Sequence, residues 1–174
     1  EVVKDVCQSL ARHKVKLIVI ISGHRGNLTP LKEAVRELYD DKIPAKILFF
    51  SYPKIEEMSK GITESKIWRR GTSGSTWHSG EIETSLMLAV KPESCHMERA
   101  VVTFPEVPAW YDYTATSWRK INKVGSFGNA KVATREKGEQ LLKKSVDYMV
   151  EVIKSAWSSY NKENTSQKGK VNEP

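Results

Sequence analysis

Apolar and polar positions alternate along the chain with periods that divide it into elements. From Val2 to His13, Val3, Val6 and Leu10 recur at helical spacing with charged residues between them, which predicts an amphipathic helix. Val15 to Ser22 (VKLIVIIS) is then a continuous β-branched run that stops at Gly23, the pattern of a buried parallel strand. After the loop Gly23 to Asn27, Thr29 with Pro30 reads as an N-cap followed by the first helical position. Leu31, Ala34, Val35 and Leu38 give that helix an apolar stripe. A second strand is predicted from Ala45 to Tyr52. Strand, loop, helix and strand in this order make an α/β unit.

Further along, Pro53 to Gly61 predicts a short helix and Trp68 to Trp77 a loop rich in Gly, Ser and Thr. Gly80 to Val90 reads as a helix with Ile82, Leu86 and either Ala89 or Val90 inward. Lys91 to Lys131 has no long period, though Val101 to Phe104 fits a short strand. The last helix is expected to start at Thr134 as N-cap and to present Leu142, Val146, Met149, Ile153 and Trp157 on one face. Asn161 to Pro174 is polar and is expected to be a disordered tail, leaving 1–160 as one domain.

Composition narrows the class. The 174 residues can bury a core, and with 39% apolar and 28% charged residues they suit a globular protein. No apolar run approaches the roughly 18 to 20 residues of a membrane span. Cys7 and Cys95 form no framework, so a reducing, cytoplasmic setting is expected. The formal charge of +7 raises nucleic acid as a partner. The basic residues are scattered rather than striped with aromatics, which argues against it.

Chemistry concentrates at two loops. Gly23 to Asn27 follows a strand, where α/β proteins place ligands. His24 there suits a divalent metal. A phosphate cradle at the following helix, or a histidine that merely closes the strand end by hydrogen bonding, are the other readings. The second loop is Trp77-His78-Ser79-Gly80 running into Glu81 and Glu83. A histidine beside a carboxylate is a workable acid–base pair. Carboxylates in a first helical turn also serve the helix dipole, and two at i and i+2 point to different sides, so at most one faces a site. His13 and His96 are poorer candidates. His96 has Cys95 beside it but no further ligands, and Tyr111, Tyr113 and Trp118 read as pocket lining or core.

Three segments carry a family resemblance. SGHRGN resembles the N-G-H-G-G-N motif of the creatininase (creatinine amidohydrolase) family. WHSGEIETSLML resembles its H-A-G-E-x-E-T-S-x-M-L segment, and GSFGNAKVATREKGEQLL its G-x-x-G-D/N-P-x-x-A-T-x-E-K-G landmark. The resemblance implies a three-layer α/β/α fold with a central, mainly parallel sheet. It implies oligomers, often hexamers, and hydrolysis of a small cyclic amide or formamide with divalent zinc, iron or manganese. It implies that His24 is a metal ligand, that His78 is catalytic or contacts substrate, and that Glu83 lies next to the site. His78 and Glu83 are the expected catalytic residues, and Arg25, Asn27, Trp77 and Gly80 the expected substrate contacts, although the family motif has glycine where this chain has Arg25 and its tryptophan lid does not align with Trp77. Gly26 stands where creatininase itself has a metal-binding glutamate, which matches the glycine-containing branch with the archaeal formamidopyrimidine deformylases. The family's Glu, His and Asp ligands preceding the first helix have no counterpart here. The expectation is therefore an N-terminally truncated chain. The alternative to an enzyme is a non-catalytic subunit that needs a further segment or partner.

Overall fold

The computed structural model describes residues 1–51, 54–66 and 76–170. The expected loop from Trp68 to Ser75, the end of the second strand at Tyr52, and the last four residues lie outside the described residues. The chain forms two compact units, Glu1–Pro53 with Asp147–Pro174, and Lys54–Val146.

The first unit contains helix α1 (Val2–Arg12), strand β1 (Leu17–Ser22), helix α2 (Leu28–Asp40) and strand β2 (Lys46–Ser51). β1 and β2 pair in parallel, from Leu17 opposite Lys46 to Ser22 opposite Ser51. The α/β expectation is met by this pair and its crossover helix. Cys7, Ile18 and Leu38 form the core, with Val3, Val15, Ile20, Ile43, Ala45 and Ile47 packed around them. Removing a side chain such as Leu38 fully from water contributes roughly 1.5–3 kcal/mol.

One boundary differs from expectation. A single 3-10 turn at Arg25–Asn27 leads straight into α2, so Thr29 and Pro30 lie within its first turn and Asn27 is the N-cap. Proline is accepted there because first-turn N–H groups have no helical acceptor.

The second unit contains α3 (Ile55–Met58), α4 (Glu81–Val90) and the antiparallel pair β3 (Val102–Thr103) and β4 (Gly128–Asn129). In α4, Ile82 is buried while Val90 is exposed, so Ala89 is the inward alternative. The last helix, α5 (Arg135–Lys170), starts in this unit. Thr134 caps it as expected, its Oγ1 accepting the Lys137 N–H at 3.2 Å.

The covered face of α5 is broader than the predicted one. Leu142, Met149 and Ile153 are partly covered as expected, whereas Val146 and Trp157 are about half exposed. The fully buried Leu141 and the partly covered Ser145, Tyr148, Val152 and Ala156 complete the face. Gly138 brings the start of this helix close to α4. Its missing side chain lets α5 lie against the Ser85 carbonyl of α4, where a Cβ would collide. Helical backbone also extends to Lys170, into the segment expected to be a disordered tail. Extending a formed helix costs little per residue, and no proline interrupts it before Pro174.

Candidate active site

The candidate residues fall into two groups, one in each unit. His24, Arg25 and Asn27 stand at the carboxyl ends of the parallel strands. Ser22 and Ser51 are register partners there, and both hydroxyls donate to the His24 carbonyl, at 3.0 and 3.1 Å. Ser22 Oγ also accepts from the Asn27 side-chain amide at 3.0 Å and from the His24 N–H at 3.3 Å. Asn27 thus closes its own loop, and Arg25 is exposed on the turn.

The His24 ring folds back on this turn. Its Nδ1 accepts the Gly26 N–H at 3.1 Å. A neutral ring with Nδ1 as acceptor carries its proton on Nε2, so neither nitrogen is then a free metal donor. Metal-ligating histidines use one nitrogen on the metal and donate from the other. Gly26 offers a donor where such a histidine needs an acceptor. Among the described residues, no group of three or more His, Cys, Asp or Glu side chains converges as a metal site. A catalytic zinc uses three protein ligands. The described residues therefore do not fit a metal centre by themselves.

The second group is built on the start of α4. His78 forms an isolated antiparallel bridge with Phe127, donating to its carbonyl at 3.2 Å and accepting from its N–H at 2.6 Å. The turn leading to Phe127 is held by the buried Asn122. Its Oδ1 accepts the N–H groups of Val124 and Gly125 at 3.1 and 3.0 Å, and its Nδ2 donates to the Ser126 carbonyl at 2.5 Å. Ser126 Oγ donates to the Ser79 carbonyl at 2.9 Å. Trp77 sits in an aromatic cluster with Tyr111, Trp118 and Phe127, and Trp118 stands edge-on to the His78 ring at 6.3 Å.

Ser79 adopts φ 48°, a left-handed conformation costly for a residue with a side chain. It turns the chain sharply between His78 and α4. Gly80, the N-cap, is buried against Thr76 and Gly128, and a side chain there would collide with Thr76. Having no side chain, Gly80 cannot cap α4. Glu83, three residues on, reaches back and accepts the Ser79 N–H. The same Oε2 lies 4.0 Å from His78 Nδ1, with both side chains partly open to solvent. Glu83 therefore ties down the turn before α4 and also faces the histidine. A groove of about 340 Å³ adjoins Glu83 and Ser79, walled by Thr84, Met87, His96 and Val101.

Glu81 and Glu83 do point to different sides. Glu81 is fully buried and ion-paired to Lys137 at 2.7 Å. Sequence reasoning missed Lys137; its place in the A-T-x-E-K-G landmark was the one available signal.

The creatininase family model, described as creatinine amidohydrolase, matches residues 1–153. A creatinine amidohydrolase of Pseudomonas putida is 31% identical over 160 residues, covering 87% of this chain and 60% of that protein. A solved mutant creatininase of Zn-Zn type is 28% identical with a TM-score of 0.69, over 89% of this chain and 62% of that one. A structure described as creatininase Mn is 29% identical with a TM-score of 0.68 over the same shares. The chain thus spans about 60% of the length of the curated relative it matches. The family's fold is shared, and the His24, His78 and Lys137 segments all lie inside the matched range: this chain belongs to the creatininase, or creatinine amidohydrolase, family.

Proposed function

We propose that this chain hydrolyses a small cyclic amide or formamide, with His78 as the proton donor and Glu83 as its partner carboxylate. The observation that carries the reading is the His78 Nδ1 to Glu83 Oε2 approach of 4.0 Å on a corner fixed by Phe127 and Ser79. In the reaction, water adds to the carbonyl carbon and the C–N bond breaks. As the water adds, His78 takes up a proton from it, and then gives a proton to the departing nitrogen. Glu83 favours the charged imidazolium between those transfers.

Trp77 and Gly80 are proposed as substrate contacts beside this pair. Arg25 and Asn27 are proposed for the other loop, where Arg25 suits an anionic substrate. His24 is the proposed metal ligand of the family motif, and ligation requires it to release the Gly26 N–H. A divalent zinc, iron or manganese belongs to this reading only as a cofactor whose other donors come from outside the described residues. No step above depends on it. We further propose a homo-oligomer in the cytoplasm. None of the described helices is long and apolar enough to cross a membrane.

A second reading, a chain that contributes to an assembly without turnover of its own, is favoured by the lack of a three-donor cluster among the described residues. One experiment separates the two. The purified chain is offered creatinine and a formamidopyrimidine, with zinc or manganese added and with a chelator. Amide hydrolysis supports the enzyme reading, and no turnover of either substrate under any condition supports the second.

A further inference from the structure

Glu81 has no accessible surface, although it is a carboxylate at the first position of α4, three residues after His78. Its Oε1 accepts the Glu64 N–H at 3.0 Å and Lys137 Nζ at 2.7 Å, and its Oε2 accepts the Ser65 N–H at 2.7 Å. Lys137 Nζ donates three bonds: to Glu81, to Glu64 Oε1 at 2.9 Å and to the Val132 carbonyl at 2.8 Å. Three donors meeting three acceptors is the full capacity of an ammonium. Next in the chain, the Lys66 carbonyl accepts the Thr76 N–H at 2.7 Å. One buried ion pair thus ties residues 64–66, the start of α4 and the first turn of α5 together. Thr76 leads directly into Trp77 and His78.

A buried ion pair is a poor source of net stability, because desolvation offsets the attraction, but a fully bonded one fixes geometry. Burial raises the Glu81 carboxyl, yet the bonds from Lys137, Ser65 and Glu64 outweigh it and leave it below its ordinary value. The pair therefore stays charged and closed.

We propose that Glu81 and Lys137 are positioning residues: their closed ion pair holds the Thr76–His78 segment and the first turn of α4 so that the His78 ring and the Glu83 carboxylate keep their register. The proposal rests on the reading of His78 and Glu83 as the reactive pair.

The test compares the full chain with Lys137→Met and Lys137→Arg. Amide hydrogen exchange is followed at His78 and Ser79, whose N–H groups bond Phe127 and Glu83, and kcat and KM are measured on creatinine. Lys137→Met is expected to speed exchange at both amides and to lower kcat by about tenfold or more, with KM within about twofold. Lys137→Arg is expected to restore both. A variant with a lowered melting temperature but wild-type exchange at His78 and Ser79 overturns the proposal, because the pair is then purely structural. If Lys137→Met does not fold, the double variant Glu81→Gln/Lys137→Met, which leaves no lone buried charge, carries the same comparison. If the wild-type chain hydrolyses neither creatinine nor a formamidopyrimidine, the reading of the reactive pair fails, and the exchange data still decide whether Glu81 and Lys137 hold the segment.

Discussion

Gly138 offers a substitution whose two contributions oppose each other. It lies in the first turns of α5, inside a helix, where glycine costs about 1 kcal/mol relative to alanine. Helix propensity alone predicts that Gly138→Ala stabilises. The packing predicts the reverse. A Cβ at Gly138 would overlap the carbonyl carbon and oxygen of Ser85 and come within 2.9 Å of Ala89 Cβ. The obstacle is α4 backbone, which cannot rotate away as a side-chain end can. Relief requires the two helices to separate, and Lys137, one residue away, would be drawn from Glu81, now at 2.7 Å. Overpacking of this kind costs roughly 1–3 kcal/mol, and lengthening a charge-assisted bond to a buried carboxylate adds about 1–2 more. Net destabilisation of roughly 2 kcal/mol is expected, or a fall of about 4–8 °C in Tm for a chain of this size. Urea unfolding followed by circular dichroism measures it. A Gly138→Ala chain as stable as wild type, with an unchanged m-value, refutes the close approach of the helices and the reason given for the glycine of the E-K-G landmark.

Three further outcomes follow from the same contacts. A Cβ at Gly26 would meet the His24 ring at 2.8 Å, so Gly26→Ala should shift the ring and its NMR resonances while changing stability by less than about 0.5 kcal/mol. Asn122→Ala removes three hydrogen bonds made by a buried side chain and should cost roughly 2–3 kcal/mol in denaturant unfolding. Glu81 is lowered in the folded state from an ordinary value of 4.5. Its stabilisation is therefore complete above that value and is lost as pH falls through the lower folded one. Wild type should lose more stability than Glu81→Gln across that acid range, and parallel acid titrations of the two would contradict the ion pair's charge state.

Much of the first unit was legible because its signals are local. The run LIVII, the stop at Gly23 and the stripe ending at Leu38 specify β1, its loop and α2 without help from distant residues. The start of α2 was misplaced because Thr-Pro is a strong cap signal, while the 3-10 turn before it depends on Ser22 and Asn27 bonding across the loop. In α5, Leu142, Met149 and Ile153 were legible from their helical spacing, but the covered face also takes in Ser145 and Ala156, which carry little hydrophobic signal. At the candidate site, the spacing of Glu81 and Glu83 correctly separates their directions. It could not reveal that one is buried, because the partner that permits burial, Lys137, is 56 residues away. Roles for His78 and Glu83 came from family resemblance, since a histidine followed by first-turn carboxylates is also an ordinary helix start.

The most direct test of the central claim is the rate of creatinine and formamidopyrimidine hydrolysis by wild type, His78→Asn and Glu83→Gln under one metal condition. Loss of a general acid costs about 10²- to 10⁴-fold, so His78→Asn should lose at least two orders of magnitude in kcat, with Glu83→Gln falling less. Wild-type turnover in His78→Asn, with the fold confirmed by circular dichroism, would contradict the assignment of the reactive pair.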